Sequence, residues 1–237
     1  MKENKITYRK RLDTIKEDFS KRVVFYDDYI VKIVPYHKEM LEALISSIPF
    51  EAKEPIKIIE LGCGTGIATC SIKKRYPKAH LTCIDMSSKM LDIAKKKLKS
   101  FPNIEFEQTD FTKYQFKEKY DVVLSFLSLM YLSGDKARKS IFRKAYSALK
   151  PGGVFIAGEA NISKNKYSQE IYMKKWIEYM KKSYSDDFIK KEVLIKAKEH
   201  GELSVLLDET QWLKDTGFRY VEIFWKYYNF SVYGGIK

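Results

Sequence analysis

The sequence predicts an α/β fold: a parallel sheet with helices on both faces, closed by a hairpin. From residue 56 onward, short apolar runs alternate with segments of helical spacing, and strands separated by helices of that length pair in parallel. The final stretch alternates apolar and polar residues as paired strands do. With 237 residues, 45 % of them hydrophobic and 14 % aromatic, the chain can bury a full core, which argues against disorder.

Residues 1–55 read as two or three helices, broken at Pro35 and Pro49. The run Ile56 to Leu61 is a first strand closed by Gly62, and Ile67 to Tyr76 has helical spacing and stops before Pro77. His80 to Asp85 is a second strand. Ser87 then N-caps a helix running to Lys99, which places Met90, Leu91, Ala94 and Leu98 on one face. Three more strands follow at Ile104 to Gln108, Tyr120 to Phe126 and Gly153 to Glu159, with a helix from Gly134 to Leu149 ending at the Pro151, Gly152, Gly153 turn. Residues 160–217 carry no strand signal but several helical stretches loaded with aromatics, among them Tyr172, Trp176, Tyr179 and Tyr184. Arg219 to Trp225 and Tyr228 to Ile236 form the hairpin, with Asn229, Gly234 and Gly235 weakening its edges. There is no internal repeat and no linker rich in Pro, Gly or Ser, so residues 1–237 read as one domain: a sheet core at 56–159 and 218–237, with helical additions at 1–55 and 160–217.

Lys and Arg number 44 against 31 Asp and Glu, a formal charge of +13. Such a balance raises the question of a nucleic-acid partner. The arginines, better suited to bidentate phosphate contacts, number seven and are scattered, while the lysines cluster inside helix-like stretches. Solvated helix faces and a functional basic surface both remain open. No apolar run approaches the roughly 20 residues of a membrane span, so no membrane partner is expected. Residues 1–21 alternate charges without the apolar core of a signal peptide, which leads us to expect a cytoplasmic protein. Cys63, Cys70 and Cys83 match neither a disulfide framework nor a zinc-ligand pattern; they are expected to pack as buried small residues, and no metal is expected.

The strongest signal is Glu60, Leu61, Gly62, Cys63, Gly64, Thr65, Gly66, between a strand and a helix, where glycines let backbone approach a ligand at a helix N-terminus. Relative to the dinucleotide fingerprint the third glycine falls one residue early, and Glu60 suits a ligand carrying an ammonium group rather than a pyrophosphate. Asp85 closes the second strand 19 residues after Gly66, near the roughly 20-residue offset at which an acid grips ribose hydroxyls. Asp110 closes the third strand. Open α/β sheets bind ligands at this carboxyl edge.

These residues resemble the class I S-adenosylmethionine-dependent methyltransferases. Glu60 to Gly66 resembles their first motif, Cys83 to Ser87 the second, Thr109, Asp110 and Phe111 the adenine-side acidic motif, Tyr120 to Ser125 the fourth-strand motif and Leu149 to Gly153 the turn before strand five. The resemblance implies a Rossmann-like three-layer sandwich with strand order 3-2-1-4-5-7-6, strand seven antiparallel, and S-adenosylmethionine as cofactor with S-adenosylhomocysteine as product. It implies that Glu60 contacts the methionine amino group. Gly62, Cys63, Gly64 and Gly66 would line the cofactor, Asp85 would hold the ribose and Met86 would pack on the adenine. Asp110 would accept from the exocyclic amine beside Phe111, and Ser125 would lie near the methionine portion.

The ends resemble a narrower branch, the tRNA wobble-uridine oxyacetic acid methyltransferases and carboxy-S-adenosylmethionine synthases, through Phe19 to Tyr36 and the tail Phe224 to Phe230. This implies that residues 1–55 form a lid, with Tyr26 and Tyr36, or His37 after a one-residue shift, against the cofactor. The synthases carry an Arg where this chain has Trp212, which favours ordinary methyl transfer. The branch often has a His pair after strand four, but this chain reads Leu129, Met130, Tyr131, Leu132. His37, Tyr131 and Glu159 are the remaining catalytic candidates; His80 reads as structural and His200 as a helix-end residue. Met130, Tyr131, Trp176 and Trp212 are candidate substrate contacts, the two tryptophans in a cover formed by 160–217. The leading expectation is methylation of a small molecule by a monomer or homodimer; a tRNA substrate, a non-catalytic cofactor-binding domain and, weakest, a nicotinamide oxidoreductase stay open.

Overall fold

The computed structural model describes residues 10, 11, 13–15, 17, 18, 23–132 and 134–237. Phe19, where the narrower resemblance begins, lies outside them, as do most of residues 1–22.

Seven strands, β1 (Lys57–Leu61), β2 (His80–Asp85), β3 (Ile104–Gln108), β4 (Tyr120–Phe126), β5 (Leu149–Ala160), β6 (Arg219–Tyr227) and β7 (Phe230–Ile236), form one sheet in the order β3-β2-β1-β4-β5-β7-β6. The strands β3 to β5 pair in parallel, and β7 runs antiparallel between β5 and β6. This is the order the resemblance implies. The reversal between β1 and β4 opens the crevice in which such sheets bind ligands.

Side chains alternate across the strands, so neighbours go to opposite layers. Ile58 and Val122 face helices α2 (His37–Ser46), α3 (Ile67–Arg75) and α4 (Ser88–Leu98), through Met40, Ile72 and Leu91. Ile59 and Val123 face α5 (Gly134–Ala148) and α7 (Leu206–Thr216) through Phe142 and Leu213. The helix α1 (Tyr26–Ile33) ends just before Val34 and Pro35, and α2 ends before Pro49, where the prolines predict breaks. Ser87 caps α4 by accepting from Met90 N at 3.4 Å.

Three expectations need correction. The turn at Pro151 to Gly153 lies inside β5, because Leu149 pairs with Tyr120 across a bulge that lets the chain pass from α5 straight into the sheet. Gly234 does not weaken an edge: β7 is internal, and a side chain there would place a Cβ 2.2 Å from the Phe155 carbonyl oxygen. Cys63 and Cys83 are buried but Cys70 is only half-buried.

Helix α6 (Lys166–Met180) docks on α1: Trp176 Nε1 donates to the Ile33 carbonyl at 2.7 Å and Tyr179 Oη to the Val31 carbonyl at 2.7 Å. A continuous helical stretch from Asp186 to His200 follows, with a wide π turn at Ile189–Ile195. None of the described helices is long and apolar enough to cross a membrane.

Candidate active site

The glycine-rich loop after β1 is held from two sides. Gly62 N and Cys63 N donate to the Ile84 carbonyl at 2.8 and 2.9 Å, and Gly64 N donates to Asp85 Oδ2 at 2.8 Å. Gly62 has φ +77°, and a Cβ there would lie 2.5 Å from Ser128 Cβ, so no larger residue fits between the loop and the segment after β4. A Cβ on Gly64 would meet nothing within 4 Å, because this glycine faces a cavity.

That cavity, about 970 Å³ with its mouth, runs along the carboxyl edge of β1, β2 and β3. Glu60, Gly62, Cys63, Gly64, Asp85 and Met86 line one side of it, with Asp110 and Phe111 beyond. Tyr26 and His37 close it from the N-terminal helices. A latch joins these helices to the loop: Asp27 accepts from Thr65 Oγ1 at 2.5 Å and pairs with Lys97. A second chamber, about 830 Å³ with its mouth, adjoins the first, and Tyr26, Ile30, Leu127 and Tyr131 line both spaces. Leu127 is held in the left-handed region at φ 55°, a backbone conformation that concentrates at functional sites. Trp176 and Met130 line the second chamber.

The electrostatics of the first cavity follow from burial. Glu60 is buried and its carboxyl is pushed up to about 7 by desolvation, partly offset by the hydroxyl of Thr69 donating to it. Desolvation holds His37 down at about 4, so its imidazole is neutral. The Cys63 thiol is pushed up by its hydrogen bond with Cys83 and by burial, which leaves it a packing group. Two buried polar atoms on the wall lack a hydrogen-bond partner among the described residues: His37 Nε2 and Asp110 Oδ2, the latter with only Lys113 Nζ at 3.9 Å. Asp110 Oδ1 is already bound by Thr112 N at 2.9 Å.

Several expected contacts lie elsewhere. Tyr36 is turned outward, half-exposed and edge-on to Tyr227 at 4.6 Å, and the next residue, His37, lines the cavity. Gly66 does not line the cavity; at φ +78° it caps α3, and a Cβ there would strike Leu98 at 2.8 Å. Ser125 is buried behind the wall, 2.7 Å from Ser128 Oγ, and Ser128 is the serine that reaches the cavity. Trp212 lines neither space: it sits in the opposite layer under the Lys139 ammonium, 4.8 Å from the ring centre, because α7 packs on the α5 side of the sheet.

Glu159 is buried and touches neither cavity. Its oxygens accept from Ser125 Oγ at 2.9 Å, Leu129 N at 3.0 Å and Met130 N at 3.1 Å, so it braces the segment that carries Met130 and Tyr131 instead of acting on substrate. Desolvation pushes its carboxyl up to about 7 against the hydrogen bonds from Leu129 and Ser125. A folded pKa above the unfolded 4.5 contributes stability present below about pH 4.5 and lost as pH rises through about 7. Urea unfolding is therefore expected to show wild type losing stability across that window, and Glu159→Gln showing a flatter dependence.

The residues missed by sequence reasoning are Leu127 and Ser128, along with Asp18, Lys196 and His200 on the wall of the second chamber. His200 reads as a helix end and does end a helix, but its buried ring nitrogen Nε2 lies 2.8 Å from Asp18 Oδ2. A separation of 182 positions leaves no local signal for that pair.

The comparisons agree with this geometry. The family profile described as "Methyltransferase domain" matches residues 58–153. The carboxy-S-adenosyl-L-methionine synthase of a Nitratiruptor species is 30 % identical over 218 residues, 90 % of this chain and 89 % of that protein. The malonyl-[acyl-carrier protein] O-methyltransferase of Bacillus anthracis is 31 % identical over 144 residues, 60 % of this chain and 51 % of its own length. In fold, the chain is similar to phosphoethanolamine N-methyltransferase 2 of Haemonchus contortus, solved with S-adenosylhomocysteine, at a TM-score of 0.67 and 18 % identity; the match covers 92 % of this chain and 46 % of that longer one. A near full-length relative at this identity, the strand order and a carboxylate at or just past the end of each of β1, β2 and β3 lead to one conclusion: the chain belongs to the class I S-adenosylmethionine-dependent methyltransferases and is an enzyme that uses this cofactor.

Proposed function

We propose that the enzyme methylates a small molecule, with the cofactor in the first cavity and the acceptor in the second chamber. The observation that carries this is the second chamber itself: it abuts the first across four residues and is walled mainly by apolar side chains. When bound, S-adenosylmethionine supplies an activated methyl group on a sulfonium. In this reading Glu60 holds the methionine ammonium, whose charge draws its carboxyl back to the ionised form. Asp85 takes the ribose hydroxyls, Asp110 Oδ2 takes the adenine amine, and Met86 and Phe111 sandwich the ring. The neutral His37 and the ring of Tyr26 exclude water from above. The walls align the acceptor for in-line displacement, an effect that can lower the barrier by about 7 to 11 kcal/mol.

Among the described residues, no Lys or Arg lines the first cavity. A carboxylated cofactor would find no cation there, which supports ordinary methyl transfer. A tRNA wobble-uridine derivative is the rival acceptor, supported by the charge of +13 and by an open groove lined by Lys113, Lys117, Lys119, Arg143 and Lys144. Incubating enzyme, methyl-labelled cofactor and a cell extract separates the two: label is expected in the low-mass fraction, and label confined to RNA would overturn the proposal.

A further inference from the structure

Strand β3 ends at Gln108, and the chain then reverses through Asp110, Phe111, Thr112 and Lys113. Lys113 N donates to the Asp110 carbonyl at 2.9 Å and closes a turn with aspartate at its first position, where that side chain is favoured because it can bond the backbone two residues on. It does so here. Asp110 Oδ1 accepts from Thr112 N at 2.9 Å and from Thr112 Oγ1 at 2.6 Å, so one carboxylate oxygen takes both donors of a single residue.

The turn is also fastened from outside. Lys144, half-buried on α5, donates from Nζ to the Thr112 carbonyl. Thr112 is thereby held at its amide, its hydroxyl and its carbonyl, and a link runs from α5 through Thr112 to Asp110.

These bonds divide the two oxygens of Asp110. Asp110 and Phe111 line the cofactor cavity and Thr112 does not, so Oδ1, tied to Thr112, is the oxygen turned from the cavity and Oδ2 is the one left to a ligand. Oδ2 is buried and has no hydrogen-bond partner among the described residues; Lys113 Nζ stands 3.9 Å away on a side chain that is 77 % exposed. Two donors on Oδ1 also fix the carboxylate plane, because turning the group would stretch or bend both bonds.

A carboxylate only accepts. Held in one orientation, Oδ2 meets the exocyclic amine of a 6-aminopurine as a partner and the oxygen of a 6-oxopurine as a second acceptor. The 6-oxopurine carries its donor, N1–H, one ring position over. A carboxylate free to turn reaches that proton, and a fixed one does not.

Resting on the reading of Asp110 as the adenine contact given above, we propose that Thr112 and Lys144 are positioning residues that lock Asp110 and so set the preference for a 6-aminopurine cofactor over its 6-oxo counterpart. Neither lines the cofactor cavity: Lys144 acts on Thr112, and Thr112 on the carboxylate.

Calorimetry with S-adenosylhomocysteine and with S-inosylhomocysteine, which exchanges the amine for an oxygen, reads the ratio of the two Kd values. Wild type is expected to prefer the adenosyl ligand by about 100-fold or more, because the oxo ligand leaves a buried acceptor unpaired. Thr112→Val keeps the backbone donor and loses the hydroxyl, and the ratio should fall by about tenfold, the share of one hydrogen bond to a charged group. Thr112→Ser, which keeps the hydroxyl, should retain the wild-type ratio. Lys144→Met should lower the ratio in the same direction by a smaller factor, and decides the matter where Thr112→Val fails to fold. A general loosening of the cavity weakens both ligands alike, so an unchanged ratio in these variants would overturn the proposal and leave Asp110 at the adenine. Wild type without preference between the two ligands would overturn the Asp110 contact and the proposal with it, and wild type that binds neither would overturn the reading of the cavity itself.

Discussion

Asp85→Ala is expected to weaken S-adenosylmethionine binding by about 10² to 10⁴ in Kd. Both carboxylate oxygens already hold backbone, Oδ2 that of Gly64 and Oδ1 that of Ser87, each at 2.8 Å. The side chain thus shapes the glycine loop before the ligand arrives, and in the proposed complex it also meets the ribose. Hydrogen bonds to a charged group contribute about 1.5 to 3 kcal/mol each, so losing two costs about 3 to 6 kcal/mol, which sets the range above. The fold should survive, because Asp85 is half-buried at the cavity rim and the β2 pairing with β1 and β3 does not use its side chain. Calorimetry checks the affinity, and circular dichroism checks that the variant folds. An unchanged Kd would remove Asp85 from the site.

The largest stability effect is expected at Arg138→Met. Arg138 and Glu209, 1 % and 0 % exposed, face each other at 2.9 Å between α5 and α7. Arg138 Nη2 also donates to the Glu202 carbonyl at 2.6 Å, while Asn161 Nδ2, at 3.1 Å, and the hydroxyls of Ser204 and Tyr233 donate to Glu209. This network fastens the helical stretch after β5 to the sheet. Removing the guanidinium leaves a carboxylate buried with neutral donors alone, which costs about 3 to 5 kcal/mol. Urea unfolding should show that loss, with part of it recovered in Arg138→Met/Glu209→Gln, where the stranded charge is gone. A loss under about 1 kcal/mol would show that the network holds little.

The sheet was legible because its signals are local. The bounds of β2, β3 and β4 coincide with the apolar runs, and Ser87 caps α4 as its position suggests. The loop glycines and the acids at strand ends were legible for the same reason: each is placed by the element it adjoins. The errors have a common physical origin. Whether Tyr36 or His37 faces the cavity depends on one residue of helix register, and whether Ser125 reaches it depends on the face of β4 it occupies. Trp212 failed because aromatic content says that a helix is buried but not in which layer. Glu159 was found at the correct edge, yet its burial and its backbone donors appear only once the segment after β4 folds over it. Asp18 and His200 meet through tertiary packing alone.

The positive charge, which raises the question of a partner, has little part in the site: its lysines lie mainly on exposed faces, many paired with carboxylates, such as Lys32 with Asp28 and Lys191 with Asp187. In the proposed function, three carboxylates at consecutive strand ends hold the cofactor instead, and the chamber beside them takes the acceptor.

Hydrogen–deuterium exchange with and without S-adenosylmethionine tests this assignment most directly. Ligand-induced protection is expected at 62–66, 85–87 and 110–112, with the 113–119 groove unchanged. Protection at that groove with the glycine loop unaffected would contradict it.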